Sequence, residues 1–96
     1  MSALADLQEW YQAQCDLDWE RQFGVLIGTL DSPGWTVTID LANTDLKGKP
    51  FTEVKDLESQ TDWIHCRVED SKFHGAGGPG KLEAILQVFL KWANPR

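Results

Sequence analysis

The stretch GVLIGTLDSPGWTVTIDL, residues 24–41, decides the fold. In its second half Trp35, Val37, Ile39 and Leu41 alternate with Thr36, Thr38 and Asp40. A period of two puts the first four on one buried sheet face and the other three on a wet one. Ahead of them, Gly24 to Leu30 is a second β-rich run, and Asp31-Ser32-Pro33-Gly34 joins the two. Pro followed by Gly suits a tight turn, with positive φ expected at Gly34. The pattern predicts a β-hairpin in a sheet covered on one side only.

Working outward, Leu4, Leu7, Trp10, Tyr11 and Cys15 fall at the three-and-four spacing of one helix face, which predicts a helix over Leu4 to Cys15. On the other side, a loop at Lys47-Gly48-Lys49-Pro50 leads to a third strand around Phe51 to Leu57. Ser59-Gln60-Thr61-Asp62 then leads to a fourth from Trp63 to Glu69, with a short extended piece at Lys72 to His74. After a flexible turn at Gly75 to Gly80, the stripe Leu82, Ile85, Leu86, Phe89, Ala93, widened by Val88, Leu90 and Trp92, predicts a well-buried final helix. The expected fold class is therefore α+β: an antiparallel sheet of four or five strands flanked by an N-terminal and a C-terminal helix, in the order αββββα.

Ninety-six residues, 42% of them hydrophobic and five of them Trp, suit a single domain over 1–96. No run approaches the roughly 20 apolar residues that span a bilayer, and Met1 to Asp6 lacks the basic and apolar regions of a secretion signal. The expected address is the cytoplasm, where Cys15 and Cys66 stay reduced. Charge is unevenly spread. Residues 1–46 hold eight acids and one base, Arg21, a balance of −7; residues 47–96 hold seven acids and eight bases, a balance of +1, which together give the net −6. Such a field repels nucleic acid and attracts basic surfaces. Neither a nucleic-acid nor a membrane partner is expected.

The motifs that could carry chemistry are weak. Gly75, Gly77 and Gly80 match G-x-G-x-x-G, but a dinucleotide fold needs an acid about 20 residues further on, and only 16 residues follow Gly80. Cys66-Arg67 faintly resembles the sulfurtransferase loop of rhodanese-like enzymes. Its neighbours alternate like a strand, and Glu69 and Asp70 stand where a thiolate wants positive potential, so Cys66 reads as a buried, inert thiol. Counted from Asp16, the sixth and twelfth positions of a calcium loop are Arg21 and Ile27, neither of which suits it. No CxxC or HxxxH pair offers a zinc site, and no cofactor is expected. Ser2, Ser32, Ser59 and Ser71 show no nucleophile elbow, and His65 and His74 have no assigned orienting partner.

Two patches remain. Asp16, Asp18, Trp19 and Glu20, with Asp31, form an acidic stretch with one aromatic, a composition suited to a basic partner. Trp63, His65, Arg67 and Glu69 form a polar and aromatic strip on one strand face. Trp10, Trp35 and Trp92 lie on apolar stripes and belong to the core, leaving Trp19 and Trp63 as the aromatic contact candidates.

Several segments together resemble one family: Trp10-Tyr11 with Gln14-Cys15-Asp16 and Asp18-Trp19-Glu20; Thr29-Leu30-Asp31 with Pro33-Gly34-Trp35; Asp62-Trp63 with Cys66 and Val68-Glu69-Asp70; and Phe73, Gly75, Gly77-Gly78-Pro79 with the Leu82 to Ala93 helix. From about Leu7 to Ala93 the chain is similar to the immunity protein 53 family of bacterial polymorphic toxin systems. Leu17, where the pattern has a small residue, and Ser32, where it has Asn, depart from it. The resemblance implies a non-enzymatic immunity protein, made beside a toxin gene, that binds and neutralises a cognate toxin. It supplies no catalytic residues. With the charge distribution it leads to the expectation of a basic toxin domain, occluded through the acidic surface, with Asp16, Asp18, Trp19, Glu20 and Asp31 as first contacts and Trp63, His65 and Arg67 as a second patch. The competing reading is a small enzyme or ligand-binding protein using the Trp63-His65-Arg67 face.

Overall fold

The computed structural model describes residues 2–94. Its elements are α1 (Ala3–Gln14), α2 (Trp19–Gln22), β1 (Val25–Leu30), β2 (Gly34–Asp40), β3 (Val54–Leu57), β4 (Trp63–Glu69), β5 (Lys72–Gly77) and α3 (Leu82–Ala93). The strands form one antiparallel sheet in the order β1-β2-β5-β4-β3, with α1 and α3 as the N-terminal and C-terminal helices. The α+β fold is the expected one, with the sheet at five strands.

Local chemistry starts and stops these elements. The Ser2 hydroxyl accepts a hydrogen bond from the Ala5 N–H at 3.1 Å and caps α1, and Asp6 in the first turn suits the positive end of the helix. At the far end of α3 the Lys49 ammonium donates to the Trp92 carbonyl at 2.7 Å, supplying a cation where the helix carbonyls run out of partners. The β4–β5 turn is Asp70-Ser71, both at positive φ (55° and 59°), the backbone that matches the twist of a two-residue hairpin.

The core lies on one face of the sheet. Val37 and Ile39 of β2, Cys66 of β4, Phe73 of β5, and Ile85 and Phe89 of α3 are all fully buried. Helix α3 packs across β2, β5 and β4, and α1 leans against α3. Phe89 meets Phe73 edge-on at 5.2 Å between ring centroids and Trp10 of α1 at 5.0 Å. Trp10, Trp35 and Trp92 are partly buried against this cluster, as their periodicity predicts.

Three differences from the sequence-based expectation have physical causes. β5 runs to Gly77 and is the central strand, so Gly75 and Gly77 belong to a strand and not to a flexible turn. Glycines in a strand carry no alternation to read, and their presence reflects how closely α3 sits. A Cβ on Gly75 would overlap the Ile85 side chain, and one on Gly77 would stand 2.8 Å from Lys81 Cβ. Gly34 lacks the expected positive φ. It opens β2 in a buried position where a Cβ would overlap the Gly77 carbonyl oxygen, and the turn before it contains a cis Ser32–Pro33 bond. β3 begins at Val54 because Phe51 leaves the sheet to meet Phe73 and Trp92 edge-on at 5.7 and 5.2 Å.

Candidate functional site

With the helices on one face, the other face of the sheet is uncovered. Strand register arranges it in rows. Lys55, His65, Ala76, Thr36 and Gly28 line up from β3 to β1, beside a row of Arg67, His74, Thr38 and Leu26; Trp63 stands opposite Leu57. Ala76, Thr36 and Gly28 keep the middle of the first row low, and apolar side chains rise at the margins: Leu57 is 61% exposed beside Trp63, and Leu26 is 71% exposed on β1. An apolar, aromatic and charged surface of this kind, on a rigid sheet, has the make-up of a protein contact surface.

Several of its polar side chains engage one another. His65 Nε2 lies 2.7 Å from Glu53 Oε2, Arg67 pairs with Glu69, and Lys72 Nζ is 3.9 Å from Asp40 Oδ1. His74, in the centre, has its pKa lowered by burial first and then by the adjacent Arg67 and Lys72 cations, with Asp70 acting the other way. It is therefore held toward the neutral form. The pairing of His65 with Glu53 supplies the orienting partner that the sequence did not reveal, because Glu53 lies 12 positions away and meets His65 only through the β3–β4 register. Leu26 was also missed as a surface residue, since β1 is apolar on both faces and offers no alternation to assign it, and Leu57 joins this face only through its register with Trp63.

The residues expected to carry contacts divide. Trp63, His65 and Arg67 come together on the uncovered face, as the alternation of β4 predicts. Trp19 does not lie on the surface. It is 4% exposed, its indole N–H donates to the Ala42 carbonyl at 2.8 Å, and its ring meets those of Trp10, Tyr11 and Phe23. Its neighbourhood in sequence is acidic, but the one-turn helix α2 rotates it inward. Asp16 and Glu20 have structural partners. Asp16 Oδ1 accepts from the N–H groups of Trp19 (2.8 Å) and Asp18 (3.0 Å), and the Glu20 carboxylate accepts from those of Asp16 (3.0 Å) and Leu17 (2.9 Å). This reciprocal capping holds the α1–α2 turn. The same hydrogen bonds, that from Trp19 foremost, lower the Asp16 pKa. The turn sets Leu17 at φ 76° with its side chain 76% exposed, a backbone state that a smaller residue adopts with less strain. Asp18 and Asp31 are exposed.

Concave surface lies elsewhere. An open groove of about 630 Å³ runs between α1 and α3, lined among others by Asp6, Glu9, Asp45, Trp10 and Lys91. Cys66 is on the covered face, where burial pushes its thiol pKa up to about 11, and it is a poor nucleophile there. Cys15 and Cys66 are both free thiols. No helix among the described residues is long and apolar enough to cross a membrane.

No curated protein and no solved structure matches the chain. The family model of immunity protein 53 matches residues 4–94, which takes in α1 from its second residue, the whole sheet and α3. The chain belongs to the immunity protein 53 family.

Proposed function

We propose that this protein neutralises a cognate bacterial toxin by binding it and occluding its working surface, as a stoichiometric partner and not as a catalyst. The observation that carries the reading is the uncovered sheet face of a chain whose family has an immunity role. Trp63 beside Leu57, with His65 and Arg67 in the adjoining rows, offers an aromatic anchor ringed by charge, the composition of interface hot spots. The acidic N-terminal half, Asp18 and Asp31 included, supports a basic toxin domain. Unbalanced charge speeds encounter over a distance and needs no direct contact. Asp16 and Glu20 add to that field while holding their own turn.

The test is a calorimetric titration against the toxin domain encoded beside this chain, coupled to rescue of growth in cells that make the toxin. Trp63→Ala is expected to weaken binding by about 100-fold, in line with loss of an aromatic hot spot, and to abolish rescue. Asp18→Lys is expected to slow association while leaving dissociation unchanged, and its effect is expected to fade at high salt. Unaltered affinity in Trp63→Ala, with the fold intact by circular dichroism, would remove the sheet face from the interface.

A further inference from the structure

The two edges of the sheet are built differently. The β3 edge is four residues long, carries Lys55 and Asp56 within it, and is flanked by Glu53 and Glu58. Short length and charge are the usual devices that stop an edge from pairing with another chain. The β1 edge has neither. Val25-Leu26-Ile27-Gly28-Thr29-Leu30 is six residues without a charge or a proline, with Leu26 and Ile27 71% and 39% exposed. The Gly24 carbonyl accepts from the Asp40 N–H, so by the alternation of an antiparallel ladder the N–H and C=O groups of Val25, Ile27 and Thr29 point away from β2. They form a row of backbone donors and acceptors at the rim of the sheet.

We propose that the β1 edge pairs antiparallel with the β1 edge of a second copy of this chain, across a two-fold axis perpendicular to the sheet at Ile27. That register sets Ile27 against Ile27 of the second copy and Val25 against its Thr29, so hydrogen-bonding residues meet hydrogen-bonding residues and each face of the sheet stays continuous. Charge complementarity selects a second copy over another strand. Arg21, the sole base in residues 1–46, is exposed just before β1 and makes no ion pair among the described residues, while Asp31 is exposed just after it. Antiparallel pairing brings Arg21 of each copy to the Asp31 end of the other, offsetting locally the repulsion between two chains of net charge −6. The uncovered faces would then form one ten-stranded surface.

Sedimentation velocity of the full chain over a wide concentration range tests this. The wild type is expected to reach a dimer. Ile27→Lys is expected to raise the dimer dissociation constant by at least about tenfold, because two lysines then meet at the axis. Thr29→Lys, at an already exposed position, decides the matter should Ile27→Lys fail to fold. Singly, Arg21→Asp and Asp31→Arg each weaken the dimer; combined, they restore it. A chain monomeric at every concentration overturns the pairing. So does a dimer indifferent to both lysine variants, singles that dimerise like the wild type, or a pair that does not recover. Trp63→Ala leaves the dimer intact, which separates this edge from the toxin contact. A β1 lysine variant that loses toxin binding, in a chain that never dimerised, assigns the edge to a toxin strand instead.

Discussion

The two faces of the same five strands obey different rules. On the covered face the side chains of β2, β5 and β4 answer to α3, to the point that Gly75 and Gly77 have no room for a Cβ. On the uncovered face the adjoining β5 positions are Lys72, His74 and Ala76, none of them buried. The contrast teaches that the sheet is a scaffold whose stability is made on one side, which leaves the other free for the contact proposed above.

The largest expected effect sets one face against the other with aromatic truncations. Phe89→Ala empties the centre of the aromatic cluster and is expected to lower stability by about 4 kcal/mol in chemical denaturation, as buried Phe truncations do. Trp63→Ala, on the uncovered face, is expected to lower it by less than about 1 kcal/mol. Equal losses would mean that the uncovered face is also part of the core. Smaller is the pair Gly75→Ala and Ala76→Val, adjacent in β5 and opposite in face. The first forces Ile85 and the helix carrying it outward and is expected to cost about 3 kcal/mol; the second adds two methyls on the uncovered face, where a strand favours a β-branched residue, and is expected to be near neutral.

This pairing also explains what the sequence could and could not reveal. Strand β2 and helix α3 were legible because apolar residues recur at the period of the element, and β1 because a β-rich run precedes the Asp31 to Gly34 turn. β5 was not, because close packing removes the side chains that carry a period: Lys72-Phe73-His74 reads as strand, while Gly75-Ala76-Gly77 reads as loop although all six pair with β2 and β4. At the candidate site, Trp63, His65 and Arg67 were legible from alternation within one strand. Glu53 and Leu57 were not, because they join the face only through the β3–β4 register, a long-range fact. Trp19 misled because acidic neighbours suggest exposure, whereas the indole position depends on a four-residue helix held by side-chain caps.

That turn gives a third, smaller prediction. Asp16→Ala removes the acceptor of two backbone N–H groups and is expected to lower the melting temperature by a few degrees, as loss of a helix cap does. Because the folded Asp16 carboxyl is held below its ordinary value of 3.8, its contribution is present above that value and is lost as pH falls through the folded value. The gap between wild type and Asp16→Ala in melting scans is therefore expected to close on acidification. A gap that persists at low pH would place the effect of Asp16 in packing and not in its charge.

The smallest effect belongs to the uncovered face. His74 sits between Thr38 and Arg67, and its folded pKa lies below the ordinary 6.5 because burial, Arg67 and Lys72 all disfavour the imidazolium. At pH above 6.5 both folded and unfolded chains carry it neutral and nothing depends on pH. As pH falls from 6.5 toward the folded value, the unfolded chain takes up the proton first, so stability declines across that window and then levels off. His74→Gln is expected to flatten this slope without changing stability at neutral pH, and Arg67→Gln is expected to shrink it, since one of the two neighbouring cations is then gone. Protonation would also add charge to the proposed contact surface at the centre of its rows. A basic toxin domain should then bind less tightly in the same acidic window, and the Gln variant should bind independently of pH across it. A binding slope that survives His74→Gln would remove His74 as its source and leave the imidazole a structural part of this face.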